Sequence, residues 1–233
     1  MARLINYVFD VDGTLSPSRL SMDENFRKFF IKWAKNRKVY LLTGSDHKKT
    51  IEQVGETIWK SVTACHQCAG NVVYERGKLV HTTDWKPNTS LLSICKKLID
   101  NSEYPVRAGN HIEERVGLLN ISVVGRDCTQ EERITYNEWD KESGERGYMC
   151  RTLNYMFPEL EASAGGQISI DIHEYGKNKS QIRSKLSGKI YFFGDKTMKG
   201  GNDYPIASIL KSPDKVFQVN DWQHTYSLLK DMQ

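Results

Sequence analysis

Asp10 and Asp12 close a short apolar run in "YVFDVDGTLSPSR" and stand two positions apart. At that spacing both carboxylates leave the end of a strand on the same side. Two like charges held so close are costly unless a cation or a proton shares them. A plain strand-to-turn junction also uses Asp, Gly and Thr, but here no lysine or arginine stands beside the acids. Three other stretches carry complementary chemistry: Thr43 and Ser45 in "LLTGSD", Lys179 in "GKNKSQ", and Asp195 with Asn202 and Asp203 in "FFGDKTMKGGND". Acids and an amide around one crevice make an oxygen-rich site, suited to a hard cation such as Mg²⁺ bound together with a substrate phosphate. Hydroxyl and ammonium groups are the donors a phosphate needs. An aspartate can also be a nucleophile and carry an aspartyl phosphate. Metal and lysine together offset the repulsion between the two anions.

These residues meet only if the elements that carry them run parallel. The apolar spacing predicts a buried strand over 3–10 and a helix in "MDENFRKFFIKWAKN", whose Phe26, Phe29, Phe30 and Trp33 form a core stripe. "KVYLLTGSD" reads as a second strand and "HKKTIEQVGETI" as a second helix. Strand, helix, strand, helix points to a parallel α/β sheet. Such sheets bind ligands at the carboxyl ends of their strands, so Asp10, Asp12 and Thr43 would share one crevice.

The pattern changes after the hairpin-like "NVVYERGKLVH". "LLSICKKLIDN" reads as a helix and "HIEERVGLLNISVVG" as two strands meeting near Val116 and Gly117. "CTQEERITYNEWDKESG" and "GYMCRTLNYMF" read as helices, and "QISIDIH" as a strand. The first pattern then resumes, with "KIYFFGDKT" as a buried strand ending at Asp195 and "KVFQV" as the last strand. The expected organisation is a Rossmann-like parallel-sheet core over 1–84 and 174–233, interrupted by an α+β insert over 85–173.

A formal charge of +4 on 233 residues is not the footprint of a nucleic-acid binder, and it would not repel an anionic metabolite. No apolar run reaches membrane-spanning length, and "MARLINYVFD" lacks the regions of a signal peptide. The expectation is a soluble cytoplasmic protein. Five cysteines without a secretion signal suggest free thiols. Cys65 and Cys68 form a C-x-x-C beside His66, but a zinc site would need further ligands, and buried thiols are the simpler reading.

"DVDGT", "LLTGSD" and "YFFGDKT", in that order, resemble the signatures of the haloacid dehalogenase superfamily of phosphotransferases. "FDVDGTLSPSR", "GRDCTQEER", "GGQISIDI" and "FFGDKTMKGGND" together resemble the eukaryotic-type phosphomannomutase family, through core and insert alike. The resemblance implies that Asp10 is the nucleophile and Asp12 the general acid/base. Thr43 or Ser45, Lys179 and Asp195 match the remaining superfamily motifs. It implies Mg²⁺ held by Asp10, the backbone carbonyl of Asp12 and Asp195, with Asn202 or Asp203 orienting the metal shell. The insert would be a cap, with Arg19, Arg115 and Arg126 on the distal phosphate of a hexose and Ser169 and Asp171 on the sugar. A hexose 1,6-bisphosphate activator and a homodimer through the cap also follow from the resemblance.

The same residues have plainer readings. Arg115 and Arg126 could pair with Glu113, Glu114 or Asp127 as surface ion pairs. Ser169 and Asp171 alternate with Ile168, Ile170 and Ile172 on one strand, so their shared face could point to a site or to solvent. The chain also departs from the family pattern. Ala108 stands where an arginine is usual, with Arg107 one position earlier as the candidate replacement. "TGSD" replaces "GGSD", the form more usual among phosphatases of the superfamily, and "QCAGN" replaces "ENG". Two enzymatic readings follow, a phosphohexomutase and a Mg²⁺-dependent sugar-phosphate phosphatase. The intact set of acids, lysine and hydroxyl argues against a third, a non-catalytic binding protein on the same fold.

Overall fold

The computed structural model describes residues 4–232. Along the chain come β1 (Ile5–Phe9), α1 (Glu24–Ala34), β2 (Lys38–Leu42), α2 (His47–Val54), α3 (Glu56–Ser61), β3 (Ala64–Gln67), β4 (Val72–Glu75) and β5 (Lys78–Thr82). Next are α4 (Thr89–Asp100), β6 (Ile112–Arg115), β7 (Leu118–Ser122), α5 (Gln130–Ser143), α6 (Glu145–Met156), β8 (Leu160–Gly165) and β9 (Ser169–Glu174). A 3-10 turn over Lys179–Gln181 leads into α7 (Ile182–Lys185), followed by β10 (Lys189–Gly194), α8 (Tyr204–Ile209), β11 (Lys215–Gln218) and α9 (Trp222–Asp231).

Seven strands form one sheet in the order β11-β10-β1-β2-β3-β4-β5. The first five are parallel, and β4 and β5 extend the edge as an antiparallel hairpin. Four strands form a second, antiparallel sheet in the order β6-β7-β9-β8. No helix among the described residues is long and apolar enough to cross a membrane.

β1 lies at the heart of the first sheet because its side chains are buried on both faces, as parallel sheets require. Phe9 packs with Phe30, Trp33 and Phe193 on one face, and Val8 with Ile190 and Phe192 on the other. The Asp23 side chain caps α1 by accepting from the Asn25 and Phe26 amides. Its buried stripe is Phe26, Phe30 and Trp33, with Phe29 only partly covered. The single helix expected over "HKKTIEQVGETI" is two, because Gly55 at φ +84 breaks the run.

The second sheet is covered on one face by α4, α5 and α6, through Leu91, Tyr136, Leu153, Ile121 and Ile170. Its other face carries Asn120, Ser122, Ser169 and Asp171, all buried. Leu118 of β7 packs with Cys68, Ala69 and Val72 of the core, and Asn71 donates to the Gly117 and Lys177 carbonyls at 2.9 and 3.2 Å. The cap thus sits down on the carboxyl ends of the parallel strands. The five cysteines are free thiols. Burial pushes the Cys68 thiol up to about 12 and raises Cys65 further still.

Candidate active site

β1 and β10 are neighbours in register, Phe9 opposite Phe193, so the residues that follow them, Asp10 and Asp195, emerge side by side. Asp203 approaches from the N-terminal end of α8. Oxygens from these three carboxylates lie within 4.8 Å of one another. The Lys179 ammonium donates to Asp10 Oδ1 at 2.5 Å and to Asp203 Oδ1 at 2.7 Å. The Lys196 amide donates to the second oxygen of Asp203 at 3.1 Å. Lys179 is only 1% exposed and Asp203 not at all.

Burial drives the Asp10 carboxyl well above its ordinary range; Lys179 opposes this, and Asp203 and Asp195 add to it. Burial, with Asp203 beside it, pushes Asp195 up to about 7. Burial alone would lower Lys179, but Asp10 and Asp203 more than reverse that and hold it above the usual lysine value. One ammonium therefore serves three crowded carboxylates. The remaining negative charge and its all-oxygen donors fit a hard divalent cation. The neighbouring glycine makes room for this packing. Gly13 has φ +81, and a Cβ there would lie 2.5 Å from Asp195 Oδ2.

Asp12 is held apart from that cluster. Its Oδ1 accepts from the Arg19 amide at 2.8 Å and from Gln53 Nε2 at 3.0 Å, and its Oδ2 accepts from Ser45 Oγ at 3.4 Å. The carboxyl is therefore aimed by fixed donors into the same crevice that Asp10 lines. Thr43 and Ser45 follow β2 and line it too. The Thr43 amide donates to the His66 carbonyl at 2.9 Å, and Thr43 Oγ1 accepts from the Ser45 amide at 3.1 Å. Asn202 and Lys196 complete this side of the cleft.

The cap supplies the roof. Arg115 and Arg126 both face the cleft and share one carboxylate, Glu113 Oε2, at 2.6 and 3.0 Å. Arg115 also donates to the Gly44 carbonyl at 2.7 Å and so joins cap to core. Ser169 and Asp171 point into the cleft, not to solvent, and are 8% and 6% exposed. Asp171 accepts from Asn120 Nδ2 at 2.5 Å, and a Cβ on Gly44 would lie 3.0 Å from its other oxygen. Arg19 lies in the cleft at φ +62, and burial, then Arg133 and Arg115, lower its pKa.

Arg107 does not join them. Its guanidinium turns back to the Ile99, Ser102, Tyr104 and Val106 carbonyls and closes the C-terminal end of α4. The replacement expected for the arginine absent at Ala108 is therefore not made by Arg107. A different arginine stands in the cleft, Arg133, on the first turn of α5. It is 3% exposed and has no ion pair among the described residues. It is not among the residues singled out from the sequence, although it closes the motif "GRDCTQEER" seven residues after Arg126. Gln53 and Asn120 were also unread, because each acts through a carboxylate partner that only the fold brings near.

The cleft thus has two chemically distinct ends. The core end holds clustered acids with Lys179 and Lys196; toward the cap stand four arginines, Arg19, Arg115, Arg126 and Arg133, with Glu113 and Asp171 as the carboxylates acting on Arg115. With the cap seated, the free volume between them is about 50 Å³. That volume admits a few waters.

The family model "Eukaryotic phosphomannomutase" matches residues 26–232. Phosphomannomutases of Galdieria sulphuraria and Nicotiana benthamiana are 35% and 36% identical over 209 residues, covering 85% of this chain and 83% of each relative. That of Encephalitozoon cuniculi is 34% identical over 212 residues, 86% of this chain and 83% of the relative. Among solved structures, the fold is similar to a Plasmodium falciparum IMP-nucleotidase, with a TM-score of 0.67 at 15% identity over 98% of this chain and 68% of that one. It is also similar to the C-terminal domain of a Candida albicans trehalose-6-phosphate phosphatase, with a TM-score of 0.64 at 12% identity over 98% and 91%. Asp10 and Asp12 precede the span matched by the family model, so their place in the site rests on the geometry above. With the haloacid dehalogenase-type core, the α+β cap and relatives of this similarity, the chain belongs to the eukaryotic phosphomannomutase family and is a phosphohexomutase.

Proposed function

We propose that this phosphohexomutase interconverts hexose 6-phosphate and hexose 1-phosphate, with mannose as the sugar, through an aspartyl phosphate on Asp10. The observation that supports this reading is the two-ended cleft, with phosphoryl-transfer groups below and an arginine cluster above. A mutase must grip one phosphate while the other end of the sugar reacts, and guanidinium forks suit that grip.

In the first half-reaction a carboxylate oxygen of Asp10 attacks the phosphorus of a hexose 1,6-bisphosphate. The Asp10–phosphorus bond forms as the bond to the sugar oxygen breaks, and Asp12 gives that oxygen its proton. The monophosphate then turns over between the two ends. Asp12 takes the proton from the hydroxyl now facing Asp10, and that oxygen attacks the aspartyl phosphate, restoring Asp10 and leaving the phosphate at the other carbon. Lys179 lowers the repulsion between Asp10 and the incoming phosphate, and Thr43 and Ser45 donate to its oxygens. Asp10, Asp195, Asp203, Asn202 and the backbone carbonyl of Asp12 would hold Mg²⁺, which supplies charge neutralisation at the transferring phosphoryl group. Arg19, Arg115, Arg126 and Arg133 hold the distal phosphate, while Ser169 and Asp171 contact the sugar. The seated cap keeps water from the aspartyl phosphate.

The bisphosphate is the activator that primes the cycle. The mobile unit in this account is the cap of 85–173, moving over the core of 1–84 and 174–233. Exposed Ile134, Tyr148 and Tyr155 on its outer helices support pairing with a second copy through the cap. The place of action is the cytoplasm. Phosphorus NMR with mannose 1-phosphate and a trace of hexose 1,6-bisphosphate tests the reading, with glucose 1-phosphate in parallel. Mannose 6-phosphate is the expected product. Release of inorganic phosphate alone would favour the phosphatase reading, to which Thr43 inclines, and no turnover of either sugar would contradict both.

A further inference from the structure

The two faces of the seven-stranded sheet are covered unequally. One is closed by α1, α2, α3 and α9. The other is covered at β1 and β10 by Ile182, Leu186, Ile206 and Leu210. Helix α7 is only four residues long and stops at Lys185, and β5 at the far edge of the sheet is exposed along its length. The register lines up Leu42, His66, Val73 and His81 across β2 to β5, the first three buried and His81 exposed. Tyr40 lies opposite Ala64 in the next row.

This arrangement leaves a cavity of about 750 Å³, a size typical of small-molecule sites, which run to about 300–1,000 Å³. Its floor is apolar, through Tyr40, Ala64, Val73, Val80 and Leu186, and its rim carries Arg76, Lys78, His81 and Lys185. One carboxylate, Glu75, opposes those four basic side chains, and none of them is ion-paired among the described residues. In the wall between floor and rim His66 is 3% exposed, and its Nδ1 is buried without a hydrogen-bond partner. Uncompensated positive charge shows in the titration of the same groups. Burial comes first in lowering His66, His81 and Lys185, but Lys185 acts on both histidines and Lys177 on His81 and Lys185 in the same direction.

We propose that this cavity is a second binding site, separate from the catalytic cleft, for a phosphorylated small molecule with an apolar body. The phosphate would lie at the rim between Lys185, Lys78 and His81, none of which is ion-paired among the described residues. The apolar body would cover Val80, which is 53% exposed, and lie against Tyr40 and Val73 on the cavity floor. The charge balance favours this occupant over another acidic-poor protein surface, including a second copy of this basic chain.

Phenylphosphonate, which is not hydrolysed, is a suitable probe because it joins an anionic head to an apolar ring. The catalytic cleft is lined by no histidine, so the imidazole C2 proton signals of His66 and His81 report on the cavity alone. They can be assigned with H66Q and H81Q. At constant pH and ionic strength, millimolar phenylphosphonate should shift both signals saturably. In the double variant Lys78→Gln, Lys185→Gln the midpoint should rise about tenfold or more, the scale for losing hydrogen bonds to a charged group. Its melting temperature and mutase activity should stay at the wild-type level. The proposal is overturned by the absence of a saturable shift, or by a midpoint that the double variant leaves unchanged. It is equally overturned if the signals broaden with protein concentration alone, which would mean that a second copy covers this face.

Discussion

The Lys179 ammonium stands 2.5 Å from Asp10 Oδ1, a buried cation against a buried carboxylate at the end of the central strand. It reaches Asp203 as well, so its removal would leave three acids facing one another. Lys179→Met should destabilise the protein by about 3–5 kcal/mol, the scale for breaking a buried ion pair. It should also abolish mutase turnover. Added Mg²⁺ should recover more stability in the variant than in the wild type, because it meets the more strongly repelling carboxylates. Urea unfolding with and without Mg²⁺ checks this, and equal stability of the two proteins in EDTA would contradict it.

Asp12 is aimed by Gln53, Ser45 and the Arg19 amide, and it is not among the three clustered carboxylates. Asp12→Ala should therefore harm proton transfer more than metal binding. On a hexose phosphate the loss should be about 10²–10⁴ in rate, the usual contribution of general acid–base catalysis. An aryl phosphate has a leaving group that needs no proton, and its hydrolysis should fall far less. Equal losses on both substrates would contradict the role.

Arg133 and Arg126 approach the cleft from the cap without touching the acid cluster. Arg133→Ala should cost about 1.5–3 kcal/mol in hexose phosphate turnover, at least about tenfold, as expected for lost hydrogen bonds to a charged group. Arg126→Ala should behave alike, somewhat softened because Arg126 already spends part of its charge on Glu113. Aryl phosphate hydrolysis has no distal phosphate to hold and should be nearly unchanged in both. A uniform fall on both substrates would make these arginines structural.

His66 resists protonation in the fold. Burial, aided by Lys185 and His81, lowers it to about 3 from an ordinary 6.5. Between those values the unfolded chain binds the proton and the folded one does not, so stability falls as pH drops through that window. His66→Gln removes this term, and its unfolding free energy should decline less steeply with acid over the same range. Urea unfolding at several pH values measures the two slopes, and parallel slopes would contradict the assignment.

The strands that carry the chemistry were legible because burial on both faces forces continuous apolar runs, and "YVFD" and "YFFGD" each end abruptly in an acid. β3 was not legible. "ACHQ" is fully buried, yet half of it is polar, with Gln67 facing Thr50 and His66 lining a cavity. β8, "LEASAG", was missed because its small residues give only a faint alternation. α9 was left unread, although Thr225 and Leu229 bury one face of it. Among the arginines, type and approximate place could be read but direction could not. Arg107 lies one position from the family pattern, and its guanidinium goes to carbonyls at and just after the end of α4. Arg133 follows Glu131 and Glu132 on α5, and only the fold brings it to the cleft.

The central claim is that the phosphoryl group passes through Asp10. Mixing the protein with hexose 1,6-bisphosphate and Mg²⁺, then quenching with borohydride, would reduce an aspartyl phosphate to homoserine, which peptide mass spectrometry locates. The account predicts homoserine at position 10 in the wild type and none in Asp10→Asn, which should be folded but inactive because an amide is neither a nucleophile nor a good Mg²⁺ ligand. Reduction at another residue, or a phosphoenzyme formed normally by Asp10→Asn, would contradict it.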